Sequence, residues 1–212
     1  MTIRTRLAGA LLVAALAAIL TQDALREDLS PIRHFISHLS LGRWGLINCA
    51  TLTAAGLGVF LLRAHLRRFD AGRWPGRWAA VTGGGLVIAG LFVTDAPPAT
   101  SYPEALTWHG QLHDVGGALT FLGLFATAWV TRRLPYRPGG LLVAVIVAAA
   151  WVAASVLAGI AFTGEPPRAL PAGLAERIAF FAGVGWLVRL AFTTPQPSTG
   201  GRAAPSRPVP AK

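Results

Sequence analysis

Two histidines four residues apart, His109 and His113, form the pattern in this sequence that is best suited to chemistry. On a helix, side chains at positions i and i+4 lie on the same face, so both imidazoles could bind one metal ion. Asp95 could supply a carboxylate. Two histidines and one carboxylate around a vacant position often hold catalytic zinc, which is therefore the favoured divalent cofactor. The alternative is that both histidines make hydrogen bonds at a helix end and that Asp95 has a structural role.

A second pair with this spacing, His34 and His38, lies in the segment before the second apolar run. Ser30 is a suitable N-cap and Gly42 a suitable stop, so the segment predicts a short helix over 31–41. We expect this helix to lie along the membrane interface. Either its histidines face water, or it caps the bundle and turns its polar side chains inward.

If the segment faces inward, Ser37, His38 and Asp95 are the candidate catalytic residues. The Ser37 hydroxyl could orient a water molecule or a carbonyl group. His38 could transfer a proton or act as a further metal ligand.

Three more polar residues belong to the same predicted end of the molecule. Asp114 follows His113, while Glu176 and Arg177 begin the last apolar run. Glu176 and Arg177 could form an ion pair that anchors the chain at the interface. The alternative is that they support the site or contact a substrate headgroup.

Composition places these residues in a membrane protein. Of the 212 residues, 53% are hydrophobic and only 13% are charged, against about a quarter charged in soluble domains. The net charge of +10 does not indicate nucleic-acid binding, because the arginines lie in short segments between apolar runs. The single cysteine, Cys49, excludes an intramolecular disulfide and a cysteine metal cluster.

Six apolar runs predict an all-α bundle with six transmembrane helices in one domain, 1–193. The predicted spans are 7–22, 45–62, 78–94, 110–131, 139–162 and 174–192. The first run also resembles a signal peptide, but no good cleavage site follows it, so we expect an uncleaved span. The basic tail 194–212, rich in proline, serine and glycine, is expected to be disordered and cytoplasmic.

The distribution of basic residues gives the orientation. With six spans, 14 of the 19 basic residues lie on the side of the two termini. The positive-inside rule then places both termini in the cytoplasm, as in a multi-pass protein of the bacterial inner membrane. The candidate residues lie on the opposite, outer face.

Three short motifs stand out: ISHLSLGRWGL at 36–46, GLFVTD at 90–95 and the pattern of His109, Gly110 and His113. Together with the weaker GLAERI at 173–178, they resemble a prokaryotic family of six-span membrane proteins known as domain of unknown function 998. The resemblance implies the six-span topology but no activity, substrate or cofactor. It implies that these residues match patterned positions of the family: Ser37, Gly42, Asp95, His109, His113 and Arg177.

A looser similarity links the candidate site to the ceramidase and adiponectin-receptor superfamily. Those seven-span proteins hold zinc with histidines, including an HxxxH pair, near an Asp and a Ser at one membrane face. This chain differs in the number of spans and in the span that carries the pair, so the similarity concerns site chemistry alone.

Three functions therefore compete. The first is a metal-dependent membrane hydrolase that acts on a lipid or another amphiphile. The second is a binding, accessory or permease-like protein in the bilayer, whose protein partners the sequence does not name. The third is haem ligation, which requires His109 or His113 to face His38.

Overall fold

The computed structural model describes residues 2–69, 72–96, 106–134, 138–163 and 170–194. In these ranges the chain forms six α-helices and a short 3-10 helix, and none of these residues is in a β-strand. The α-helices are α1 Ile3–Leu25, α2 Gly45–Leu66, α3 Trp74–Leu91, α4 Trp108–Val130, α5 Gly140–Thr163 and α6 Ala172–Ala191; the 3-10 helix is Ile36–Ser40. The predicted all-α class is confirmed, and each apolar run coincides with one helix. The predicted disordered tail lies outside the described residues from 195 onward.

Three of the described helical segments are long and apolar enough to cross a membrane: α1, α2 and the Gly140–Ala161 part of α5. Their outward faces carry large exposed apolar side chains, such as Leu20, Leu46 and Leu142. Exposing this much apolar area to water is unfavourable, whereas lipid chains solvate it. The surface of the bundle therefore fits association with a lipid bilayer.

Glycines allow the central helices to approach closely. A Cβ atom on Gly85 of α3 would lie 2.5 Å from the carbonyl oxygen of Gly116 of α4, and one on Gly83 would lie 2.9 Å from the carbonyl oxygen of Gly56. Only glycine permits such contacts between backbones. The close packing of α2, α3 and α4 fixes the positions of the side chains at both ends of these helices.

The short helix predicted over 31–41 is wrong in length. Residues 31–33 form a turn, and only Ile36–Ser40 is helical, as a 3-10 helix whose five residues are all buried. Contacts with other helices determine the conformation of this segment. Glu176 of α6 accepts the N–H of Ile36 at 2.5 Å, and Asn48 of α2 donates to the carbonyl of Ile36 at 3.0 Å. These contacts hold the segment inside the end of the bundle.

The ends of this segment are also fixed by local hydrogen bonds. Ser30 does not act as the predicted N-cap; instead its backbone N–H donates to Nδ1 of His34 at 2.8 Å. The predicted stop at Gly42 is supported, because Gly42 has φ +72° in the left-handed region.

Candidate functional site at the polar end

The polar end, as we call it, is the end of the bundle that contains residues 26–44, the ends of α1 and α3 and the starts of α2, α4 and α6. Its main tie is Arg177 of α6, which binds Asp23 of α1 with two hydrogen bonds of 2.8 and 2.6 Å. Nη1 of Arg177 also donates to the backbone carbonyls of His34 and Gly173. Both charged side chains are about nine-tenths buried, and every donor nitrogen of the guanidinium is used. Arg177 therefore joins α1, the first loop and α6.

The predicted ion pair between Glu176 and Arg177 is not formed. The two residues are adjacent on a helix and point in different directions, so Arg177 pairs with Asp23 while Glu176 accepts the N–H of Ile36.

A second arginine, Arg26, fixes the other side of the first loop. It forms a bidentate pair with Asp28 at 2.8 and 2.7 Å and donates to the carbonyls of Leu39 and Leu41. The hydrogen bond from Arg26 lowers the pKa of the Asp28 carboxyl, and the same bond raises the pKa of Arg26. Like Arg177, Arg26 has its side chain committed to partners within the protein.

The first histidine pair is held in one tautomer by the backbone. Nδ1 of His34 accepts the N–H of Ser30, and Nδ1 of His38 accepts the N–H of Phe35 at 3.1 Å. Burial lowers the pKa of both imidazoles, that of His38 from 6.5 to about 4, so both rings are neutral at pH 7. The remaining proton is then on Nε2, and neither ring offers a free lone pair to a metal or a haem iron.

The second pair has the opposite tautomer. Nδ1 of His109 donates to the carbonyl of Val93 at 2.9 Å, and Nδ1 of His113 donates to the carbonyl of Phe92 at 2.8 Å. A carbonyl oxygen can only accept, so each Nδ1 carries a proton, and in the neutral ring Nε2 then keeps its lone pair. These two bonds tie the end of α3 to the first turns of α4.

Asp95 caps α4. Its carboxylate accepts the N–H of Thr107 at 3.0 Å and the hydroxyl of Thr107 at 2.6 Å. It also lies against Gly110, where a Cβ atom would overlap it. The carboxylate therefore interacts with the positive start of the helix.

The predicted zinc ligands are consequently not assembled. Among the residues that the structure describes, no group of three or more His, Cys, Asp or Glu side chains could hold a metal ion. The geometry instead gives Asp95, His109 and His113 a shared role at the α3–α4 junction, which was the alternative reading of the sequence.

The polar end contains a cavity of about 260 Å³ between α4, α5, α6 and the 3-10 helix. Five polar residues line it: Ser37, His113, Asp114, Ser155 and Glu176. Its other walls are apolar and are formed by Phe35, Gly117, Ala118, Phe121, Trp151, Ala154 and Ala158. A smaller cavity of about 40 Å³ shares Ser37, His113 and Glu176 and extends toward Leu52 and Phe180.

Two of the polar groups are buried and incompletely paired. Ser37 and His113 are 9% and 5% exposed. Among the described residues, neither the Ser37 hydroxyl nor Nε2 of His113 has a hydrogen-bond partner. Both residues line the cavity, so water or another molecule inside it can supply the missing hydrogen-bond partners.

Gly117 leaves this cavity open. A Cβ atom at Gly117 would meet no heavy atom within 4 Å, whereas one at the preceding Gly116 would collide with α3. One turn further along α4, Phe121 stacks on Trp151 of α5 with 5.8 Å between ring centroids. The aromatic pair lies on the wall of the cavity farther from Asp114.

Of the nine residues singled out from the sequence, four line the cavity: Ser37, His113, Asp114 and Glu176. Asp95 and His109 lie at the α3–α4 junction, while His34, His38 and Arg177 hold the first loop in place. Sequence reasoning missed Asp23, Asn48 and Trp151. The signal for Asp23 and Asn48 was a polar residue in or next to an apolar run, which needs a partner at that depth.

The family model described as "Protein of unknown function (DUF998)" matches residues 7–193, which cover the six helices except the first four residues of α1. No curated protein and no solved structure matches the chain.

Proposed function

We propose a function for this chain, which belongs to the DUF998 family of proteins of unknown function. The protein is a membrane-embedded binding protein that takes up one amphiphilic molecule at the polar end. The head of the ligand would lie among Ser37, His113, Asp114 and Glu176, and its chain would lie against Phe121 and Trp151.

The observation that carries the proposal is the cavity with a polar and an apolar end. Asp114 and Phe121 are seven residues apart on α4, which corresponds to about 10 Å of helix rise. Over this distance the lining changes from carboxyl, imidazole and hydroxyl groups to aromatic rings and small apolar side chains. A pocket with mainly apolar walls and a few polar groups at one end suits a ligand of matching polarity.

We propose the following setting in the membrane. All six α-helices cross the bilayer, both termini are cytoplasmic and the polar end faces outward from a bacterial cytoplasmic membrane. Support comes from the apolar length of α1, α2 and α5 and from the 14 of 19 basic residues on the side of the termini. The cavity then opens at the depth of the outer lipid headgroups, where an amphiphile can enter from the membrane.

Binding is better supported than metal-dependent hydrolysis. The Asp95 carboxylate already accepts two hydrogen bonds from Thr107, the N-cap of α4, which competes with a role as the third metal ligand beside His109 and His113. The free Nε2 lone pair of each of these histidines nevertheless makes metal content a necessary control in the experiment. Haem ligation needs a lone pair on Nε2 of His38, which the contact with Phe35 removes.

Native mass spectrometry of the detergent-purified protein tests the proposal. Wild type should retain one amphiphile per chain, and Gly117→Leu, which fills the cavity, should lose it. Gly185→Leu is the matched control, because Gly185 of α6 also has open space around it but does not line the cavity. Equal retention by both variants, or none by wild type, contradicts the proposal. Stoichiometric zinc that is lost in His109→Ala would favour the hydrolase instead.

A further inference from the structure

We infer that the head group bound in this cavity is a protonated amine, which donates hydrogen bonds, rather than an anion or a sugar. The inference rests on the proposed function and names the ligand class of the same cavity. It comes from the hydrogen-bonding character of the groups that line the polar end.

The polar lining consists mainly of acceptors. Because Nδ1–H of His113 is bonded to the carbonyl of Phe92, the ring presents only the lone pair of Nε2. Asp114 has no hydrogen-bond partner among the described residues, and Glu176 uses one oxygen for Ile36, which leaves the other. Two carboxyl groups and one imidazole nitrogen together can accept several N–H donors.

Ser37 adds a hydroxyl group to these acceptors, and the lining as a whole still accepts more hydrogen bonds than it donates. Its hydroxyl can rotate and can accept one bond while donating another, for example to a neighbouring carboxylate. An ammonium group carries three donors and no acceptor, so it can satisfy His113, Asp114 and Glu176 or Ser37 at the same time. Among these four residues, a phosphate or sulfate would find a donor only in the Ser37 hydroxyl and would lie beside two acidic groups.

The nearby cations do not reverse this preference. Arg177 uses four of its five N–H donors for Asp23 and two carbonyls, and Arg26 uses four for Asp28 and two carbonyls. Among the described residues that line the cavity there is no lysine or arginine. An anionic head would therefore find no positive partner on the described walls.

A panel of amphiphiles that share a dodecyl chain separates the possibilities. The protein is placed in phosphatidylcholine nanodiscs and titrated with dodecylamine, dodecyltrimethylammonium, dodecanoate and dodecyl glucoside. Binding is read as the saturable change in tryptophan fluorescence that Trp151→Phe abolishes. We expect dodecylamine to bind about ten-fold or more tightly than the other three, because only its head donates charged hydrogen bonds.

Asp114→Asn removes one carboxylate from the cavity and should weaken dodecylamine binding by about ten-fold while leaving dodecyl glucoside unchanged. The matched control is Glu27→Gln, which removes one charge from an exposed residue at the same end of the bundle. Equal binding of dodecylamine and dodecyltrimethylammonium, or tighter binding of dodecanoate, overturns the amine assignment while the proposed binding function stands. Saturable binding of none of the four contradicts both.

Discussion

Arg177 and Asp23, which are 154 positions apart in the chain, form a bidentate ion pair that closes the polar end between α6 and α1. The pair is about nine-tenths buried, and the same guanidinium holds the carbonyl of His34. The first loop, and with it Ser37 in the cavity wall, is therefore positioned by one charged contact between the two ends of the sequence.

Asp23→Ala should lower the free energy of unfolding by about 3–5 kcal/mol, since it leaves the buried Arg177 charge without its partner. The measurement is thermal unfolding in detergent. Glu27→Ala, which removes an exposed carboxylate four residues away, should have little effect. If the two variants unfold at the same temperature, the ion pair does not hold the bundle together. The double variant Asp23→Ala/Arg177→Met should recover part of the lost stability, because it no longer contains an unpaired buried charge.

Two glycines of α4 should respond oppositely to alanine. Gly110→Ala should destabilise the protein, because the added methyl group overlaps the Asp95 carboxylate and disrupts the cap. Gly117→Ala has open space and should stabilise the helix by up to about 1 kcal/mol. Unfolding temperatures of the two variants check this, and a destabilised Gly117→Ala would show that the cavity is absent in the folded protein.

Acid should destabilise the protein through His38. Burial places its pKa near 4 in the folded state, against 6.5 for the free imidazole. Between these values the unfolded chain binds more protons, so stability falls as the pH falls from 6.5 toward 4. The slope from this group is about 1.4 kcal/mol per pH unit.

The His38→Asn variant isolates this contribution. Its side-chain oxygen can accept the N–H of Phe35 in place of Nδ1. Unfolding free energies at pH 7 and pH 5 should differ less in this variant than in wild type. The remaining slope includes His34, whose pKa burial also lowers. Parallel pH profiles for the two proteins would show that His38 is not buried as described.

The proposed orientation can be checked with single cysteines in a Cys49→Ser background. Glu27→Cys lies at the polar end and Arg133→Cys at the opposite end, and both positions are exposed. A membrane-impermeant maleimide applied to intact spheroplasts should label Glu27→Cys alone. Arg133→Cys should react only after permeabilisation. The reverse pattern would place the polar end in the cytoplasm.

The helices were predictable from the sequence because each is encoded by a continuous apolar run. The conformation of the first loop was not predictable, because Ile36–Ser40 is held by Glu176 and Asn48. Glu176 is 140 positions away in the chain, and Asn48 lies within an apolar run. Among the described residues, the structure also shows no group of three ligands that could hold the predicted metal. His109 and Asp95 both contact Thr107, but the Asp95 carboxylate accepts the N–H and the hydroxyl of that residue. Spacing alone does not reveal that competition.

Photo-crosslinking tests most directly whether the cavity binds an amphiphile. Dodecylamine with a diazirine in its chain is activated in nanodiscs that contain the protein, and labelled residues are identified by mass spectrometry. The account predicts labelling within 117–121 of α4 and 151–158 of α5, suppressed by excess dodecylamine. Labelling confined to lipid-facing surfaces, such as the apolar groove formed by Leu11, Ala18 and Ala54 between α1 and α2, and insensitive to the competitor, would contradict it.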